Sequence, residues 1–85
     1  MNIFFKSIIV KLKKELEIEH VEIVDNSYKH KKHKSFSPEK FHLHLKIKSS
    51  YLNSITRVAA QKKIMKVLQE ELSFKIHALE ISIEQ

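Results

Sequence analysis

The feature that most constrains the fold is a strict alternation of apolar and polar residues between positions 41 and 48. The apolar members are Phe41, Leu43, Leu45 and Ile47, and histidines and lysines occupy the positions between them. Side chains of a β-strand point alternately to the two faces of its sheet, so the segment predicts a strand with one buried face and one hydrated face. His42 and His44 are therefore expected on a wet sheet surface.

Two other segments have the period of amphipathic helices. The first runs from Ile3 to about Leu16, and Asn2 precedes it as a suitable N-cap. The second runs from residue 57 to residue 72, where either Thr56 or Ser54 can supply the capping oxygen. Each helix has an apolar stripe on one side and charged residues on the other, which predicts packing against a sheet.

Residues 18–24 and 76–83 are rich in β-branched side chains and are predicted as strands. A polar stretch, residues 25–40, is predicted as a loop, and residues 49–54 are predicted as a turn with one helical turn at most. The order αββαβ predicts an α+β fold of one domain spanning residues 1–85, with a three-stranded mixed sheet covered by helices on one face. The first two strands should pair antiparallel, and the helical crossover gives the third a parallel neighbour.

The charge of the chain favours anionic partners but not the reading of base sequences. The net charge is +6, from fifteen lysines and one arginine in 85 residues. Arginine is the usual residue for bidentate contacts to bases, so a single arginine predicts sequence-blind contacts. The sequence has neither an apolar run of the roughly 20 residues that a membrane span needs nor a secretory signal. We therefore expect a soluble cytosolic protein.

The sequence offers little for catalysis. It contains no cysteine nucleophile and no glycine-rich phosphate loop, because the chain has neither cysteine nor glycine. Serines such as Ser49 and Ser50 have no evident base beside them in the sequence pattern. We expect a protein that is not an enzyme.

Histidines are the best candidates for a site. Strand parity places His77 on the same face as Leu79 and Ile81, which predicts a buried imidazole that needs either a backbone carbonyl or a metal as its partner. His30 and His33 lie in the basic tract of the loop and are either solvated side chains or a source of a second ligand. Two or three histidines do not complete an iron or zinc site, so a metal would need ligands from another molecule.

Several short motifs occur in an order and spacing that resemble one family. They are Val24-Asp25-Asn26-Ser27 followed by His30 and His33, His42-Leu43 on the central strand with Ser49 after it, and Gln69-Glu70-Glu71-Leu72 leading into Ile76-His77-Ala78-Leu79. Nearly the whole chain, from the first helix to Ile83, is similar in this way to the BolA family. The family fold is a small αββαβ domain related to the second type of KH domain.

The resemblance implies a protein partner and a shared cofactor. BolA-like proteins associate with monothiol glutaredoxins and share a bridging [2Fe–2S] cluster, in iron–sulfur cluster delivery or iron sensing. The implied ligands here are His77 and a loop histidine, His30 with His33 as its neighbour, and histidine can replace thiolate on an iron. We expect the isolated chain to be a monomer that binds no cluster by itself. The docking surface for the partner is expected to include Lys62, Lys63, Lys66 and Ala78.

An alternative function is DNA binding by a transcriptional regulator. It would rest on Arg57, Lys62, Lys63 and Lys66 along one helix, together with the loop lysines. The KH mode, which uses a Gly-X-X-Gly loop, is absent because there is no glycine. Family members usually have Arg-His-Arg where this chain has Ala60-Gln61-Lys62, so the resemblance does not carry over any role of those residues. The contact would be directed at phosphates and would weaken steeply with salt.

Overall fold

The protein forms a three-stranded sheet with helices on one face. The computed structural model describes residues 2–27 and 40–84. Its elements are α1 (Ile3–Glu15), β1 (His20–Asp25), β2 (Phe41–Lys48), α2 (Ser50–Ser54), α3 (Arg57–Val67), α4 (Gln69–Phe74) and β3 (Ile76–Glu84). This arrangement confirms the predicted α+β class. In the part of the chain covered by these two ranges, the helices lack the combined length and apolar character needed to cross a membrane.

The sheet has the order β1-β2-β3, with β2 in the centre. Strand β1 pairs antiparallel with β2, and β3 pairs parallel with β2. The antiparallel pair and the parallel crossover were both predicted from the order of elements, and both are confirmed. The alternating segment forms this central strand. Both of its edges are paired, and its apolar side chains are covered.

The core lies between the helices and the apolar face of β2. Leu45 and Ile47 have no exposed surface, and Leu43 is only 2% exposed. The helices contribute Ile8 and Leu12 from α1 and Ala60 and Ile64 from α3, all fully buried. Burial of a leucine or isoleucine side chain stabilises the fold by roughly 1.5–3 kcal/mol relative to an exposed position. The helical layer therefore rests on the face that the alternation predicted to be apolar.

Side-chain caps fix the helix starts as predicted. The Asn2 Oδ1 accepts a hydrogen bond from the Phe4 N–H at 2.7 Å, and the Thr56 Oγ1 accepts one from the Ala59 N–H at 3.1 Å. The second long helix is different from the prediction, because it is divided into α3 and α4 at Leu68, whose φ and ψ are −97° and 19°. Leu68 is fully buried at this break. Helical periodicity continues through the break, so the sequence pattern does not reveal it.

The prediction that His77 points inward is wrong. Phe41 is in register with Ile76, and His42 is in register with Ala78, so His77 is an extra residue in β3 at a shift of register. Such a bulge changes the parity of the strand on its two sides. Ile76 is buried, the side chains from Leu79 onward alternate toward the helices, and His77 is exposed. The premise that this imidazole is buried therefore does not hold.

Candidate functional site

The bulge brings two imidazoles together at the start of β2 and β3. The ring centroids of His42 and His77 are 5.0 Å apart, and the ring planes are inclined by 42°. His42 is only 8% exposed, whereas His77 is open to solvent. The prediction of a wet His42 is therefore wrong. The pair consists of one solvent-accessible imidazole packed against a buried one.

Backbone contacts from the end of β1 hold His42 in place. The Asn26 N–H donates to the His42 carbonyl at 2.7 Å, and the His42 N–H donates to the Ser27 hydroxyl at 3.1 Å. The Ser27 N–H in turn donates to the Asp25 carboxylate at 2.9 Å, which forms an Asx-type turn. The Asp-Asn-Ser motif thus fixes the chain beside the imidazole pair at the point where the loop begins.

A second set of contacts aligns the starts of the two strands. The Phe41 N–H donates to the Lys75 carbonyl at 2.8 Å, directly before the bulge. The centroid of the Phe41 ring lies 5.5 Å from that of Phe4 and 5.1 Å from that of Phe5. The first turn of α1 therefore packs on the start of β2. Aromatic contacts at these separations are favourable. They hold the strand ends that carry His42 and His77 together.

His44, two residues along β2, is in a different environment. Its Nδ1 lies 3.0 Å from a carboxylate oxygen of Glu80, and its Nε2 lies 2.6 Å from the Ser82 hydroxyl. In the tautomer whose Nδ1–H donates to Glu80, Nε2 accepts the proton of the Ser82 hydroxyl. Both ring nitrogens are therefore engaged within the sheet. The half-buried His44 is a structural side chain of the open face and a poor candidate for a ligand.

The predicted partner-binding residues lie on two sides of the sheet. Lys62, Lys63 and Lys66 are exposed on α3, in the helical layer, as is Arg57 at its start. The Lys63 ammonium is 6.0 Å from the centre of the Tyr51 ring, within the range of a cation–π contact. Ala78 is exposed on the opposite, open face, where it is in register with His42.

Of the three predicted metal ligands, only His77 lies within the described residues. His77 is beside His42, while His30 and His33 lie outside the described residues. Within the ranges 2–27 and 40–84, no group of three or more His, Cys, Asp or Glu is placed to hold a metal ion. Sequence reasoning missed His42 because it treated β3 as regular. The available signal was its position as the first polar residue of β2, within the His42-Leu43 motif.

The exposed imidazole of His77 fits the part of a cluster site that a cysteine-free chain can supply. Imidazole nitrogen is an accepted ligand of iron in [2Fe–2S] centres, in which thiolates hold the remaining positions. His77 has the exposure that a ligand shared with another protein requires, and its position on a strand gives it a defined orientation. The described residues are thus compatible with this chemistry.

Comparison with known proteins agrees with the motifs and with the fold. A family model described as BolA-like protein matches residues 12–85. The structure is similar to the BolA domain of SufE1 from Arabidopsis thaliana, with 32% identity, a TM-score of 0.81, and coverage of 99% of this chain and 93% of that one. It is also similar to BolA1 from Arabidopsis thaliana, with 30% identity, a TM-score of 0.79, and coverage of 98% and 92%.

A more distant similarity concerns the fold alone. BolA1 from Mus musculus shares 23% identity at a TM-score of 0.75, over 96% of this chain and 64% of that one. Comparison with curated protein sequences gives no match. The family model covers most of the chain, including β1, β2, β3 and both imidazoles of the pair. By its sequence and by its structure, this chain belongs to the BolA family.

Proposed function

We propose that the protein is an adaptor that binds a monothiol glutaredoxin and shares a bridging [2Fe–2S] cluster with it. The chain would contribute His77 and one loop histidine, His30 or its neighbour His33, and the glutaredoxin would contribute thiolates. The role is cluster delivery or iron sensing, without an enzymatic activity of its own. The observation that carries the proposal is the exposed His77 imidazole, held against the buried ring of His42.

The end of the described segment after β1 supports a second ligand from the same molecule. The described part of β1 and its following turn ends at Ser27, whose hydroxyl accepts the His42 N–H beside the imidazole pair. His30 is three residues further along the sequence. A chain spans at most about 3.6 Å per residue, so this separation is compatible with a ligand close to His77.

His42 has a supporting part in this proposal. Its burial and its ring contact restrict the directions in which His77 can turn, and a restricted ligand loses less conformational entropy when it binds. The imidazole nitrogens of His42 also lie at these strand ends. The effect of His42 on the cluster spectrum therefore has to be measured together with the effects of the loop histidines. The cluster that the glutaredoxin carries would supply the redox chemistry. This chain would supply nitrogen ligands and hold them in a defined orientation.

The test is to mix the protein with a cluster-loaded monothiol glutaredoxin and record the visible absorption and circular dichroism of the complex. His77→Ala should change the spectrum of the mixed species or prevent its formation. His30→Ala and His33→Ala, measured separately, identify the loop ligand. His20→Ala is the matched control, because His20 is an exposed histidine at the far end of the same sheet. An unchanged spectrum with His77→Ala would show that the ligand assignment is wrong.

A second candidate function is DNA binding, and the observation that favours it is the row of exposed cations on α3. Arg57, Lys62, Lys63 and Lys66 are all exposed, and none of them is within ion-pair distance of an acidic group among the described residues. Contacts of this kind release counterions, so the affinity should fall steeply with salt. Titration with duplex DNA at about 50 mM salt tests it, and no measurable binding there removes this function.

A further inference from the structure

The outer edge of β3 is a long strand edge with little protection. β3 has nine residues, and within the described ranges its only strand partner is β2, on the inner side. Natural edges usually carry lysine, proline or a bulge that discourages pairing with another chain. β3 has its bulge at His77, and the residues that follow, 78–84, contain neither lysine nor proline. This segment is therefore a regular template for one more strand.

A small groove with a mixed polar and apolar lining lies beside that edge on the helical side. Leu79, Ile81 and Ile83 point toward the helices but are only half-buried, because the helical layer does not extend fully over the outer strand. Ile81 and Ile83 form one wall of this groove, whose volume is about 70 Å³, and the other lining residues come from α2, α3 and the turn between them: Leu52, Asn53, Ile55, Arg57 and Gln61. Alternate side chains of an added strand would enter this groove.

On the open face of the sheet, β3 carries acidic side chains. Ala78, Glu80, Ser82 and Glu84 alternate along the open face, and all four are exposed. On the inner side, the residues of β2 in register with Glu80 and Glu84 are His44 and Lys48. Opposite charges on neighbouring strands are favourable and like charges are not. β3 thus already pairs with a strand in which aliphatic and basic side chains alternate.

We propose that the outer edge of β3 binds an extended segment of a partner protein in which aliphatic and basic residues alternate. The aliphatic residues would occupy the groove beside Ile81 and Ile83, and the basic residues would lie beside Glu80 and Glu84 on the open face. Backbone hydrogen bonds to the free edge supply affinity, and the two rows of side chains supply specificity. This interaction does not depend on the metal ligands proposed above.

A second copy of the chain fits this edge less well. Antiparallel pairing of β3 with itself about Ser82 would set Glu80 opposite Glu84, and pairing about Ile81 would set Glu80 opposite Ser82 and Ala78 opposite Glu84. Neither register pairs a carboxylate with a cation, and the first opposes two carboxylates, which destabilises a sheet. The charge pattern therefore favours a basic partner strand over self-association.

The probe is a capped peptide of alternating lysine and isoleucine, titrated into the ¹⁵N-labelled protein. The amide shifts of residues 79–83 should move, and part of their amide hydrogens should exchange more slowly. The same peptide with N-methyl groups on alternate residues cannot pair along the edge, and it should bind about tenfold or more weakly. Equal binding of the N-methylated peptide, or shifts confined to other elements, overturns the proposal.

Charge exchange provides a second test that does not rely on the peptide backbone. Glu80→Lys combined with Glu84→Lys should weaken binding of the lysine peptide about tenfold, and a glutamate–isoleucine peptide should then bind to this variant. Glu22→Lys on β1 is the control, because it makes the same change on the same face at the opposite edge, and it should bind like the unaltered protein. A dimer that blocks the peptide overturns the assignment of the occupant.

Discussion

The two faces of the central strand differ in how evenly their side chains are buried. On the covered face, Leu43, Leu45 and Ile47 are all buried beneath the helices, to within 2% of complete burial. On the open face the exposure is graded: His42 is buried, His44 is half-buried, and Lys46 and Lys48 are exposed. No helix covers the open face in the described part of the chain, and the ring of His42 contacts that of His77 on the neighbouring strand.

This difference shows where the fold leaves room for function. The covered face is uniform because helix packing requires an unbroken apolar surface. The open face is regular where β2 and β3 keep their register, and it changes character where the register shifts at His77. That shift exposes one imidazole and places it against a second, buried one. The irregular end of the open face is thus where the proposed ligand His77 lies.

The largest effect should come from the covered face. Leu45→Ala removes a fully buried side chain, and we expect the free energy of unfolding to fall by about 3 kcal/mol. Lys46→Ala is the control, because the next residue faces solvent and should change stability by less than about 0.5 kcal/mol. Urea unfolding measures both. Similar losses for the two variants would contradict the difference between the faces.

A buried hydroxyl beneath the covered side should give the next effect. Ser49 has no exposed surface, and its hydroxyl donates to the Glu17 carbonyl at 2.6 Å and accepts from the Leu52 N–H at 3.0 Å. Ser49→Ala leaves the Glu17 carbonyl and the Leu52 N–H without this hydroxyl, which should lower the free energy of unfolding by about 2 kcal/mol. Ser50→Ala is the control, since Ser50 is exposed. A loss at Ser49 no larger than that at Ser50 would show that these hydrogen bonds are readily replaced by water.

Within the imidazole pair, stability should depend on the buried ring. His42→Ala is expected to lower the free energy of unfolding by about 1–2 kcal/mol, because the ring packs at the strand ends. His77→Ala should change it by less than about 0.5 kcal/mol, because its side chain is exposed. His42→Ala should also shift the imidazole signals of His77 in NMR spectra. Equal stability losses would indicate that the two rings are equally buried.

The smallest effect should come from the regular part of the open face. Glu80→Gln weakens the contact with His44, but the Glu80 side chain is 72% exposed. Solvent-exposed ion pairs contribute little, so the expected loss is below about 0.5 kcal/mol. Glu84→Gln on the same edge serves as the control. A difference above about 1 kcal/mol between them would mean that the Glu80–His44–Ser82 contacts organise this face more strongly than their exposure indicates.

The sequence was sufficient for most of the elements and for their arrangement, but not for the break between α3 and α4. The alternation of β2, the helical period of α1 and the caps at Asn2 and Thr56 are local properties, because each depends on residues within a few positions of one another. The order of the elements then fixed which strands pair antiparallel and which pair parallel. The family motifs identified His77 as the residue to follow, and the family is confirmed by comparison.

The site itself depended on contacts between distant segments. Local parity placed His77 on the covered face and predicted a hydrated His42, whereas in the structure His77 is exposed and His42, although it lies on the open face, is buried. A bulge is a relation between two strands, here between Phe41-His42 and Ile76-Ala78, and a single segment carries no sign of it. The pattern of one strand determines which side chains share a face only while the register is unbroken. Tertiary pairing decides where the register shifts, and with it which imidazole meets solvent.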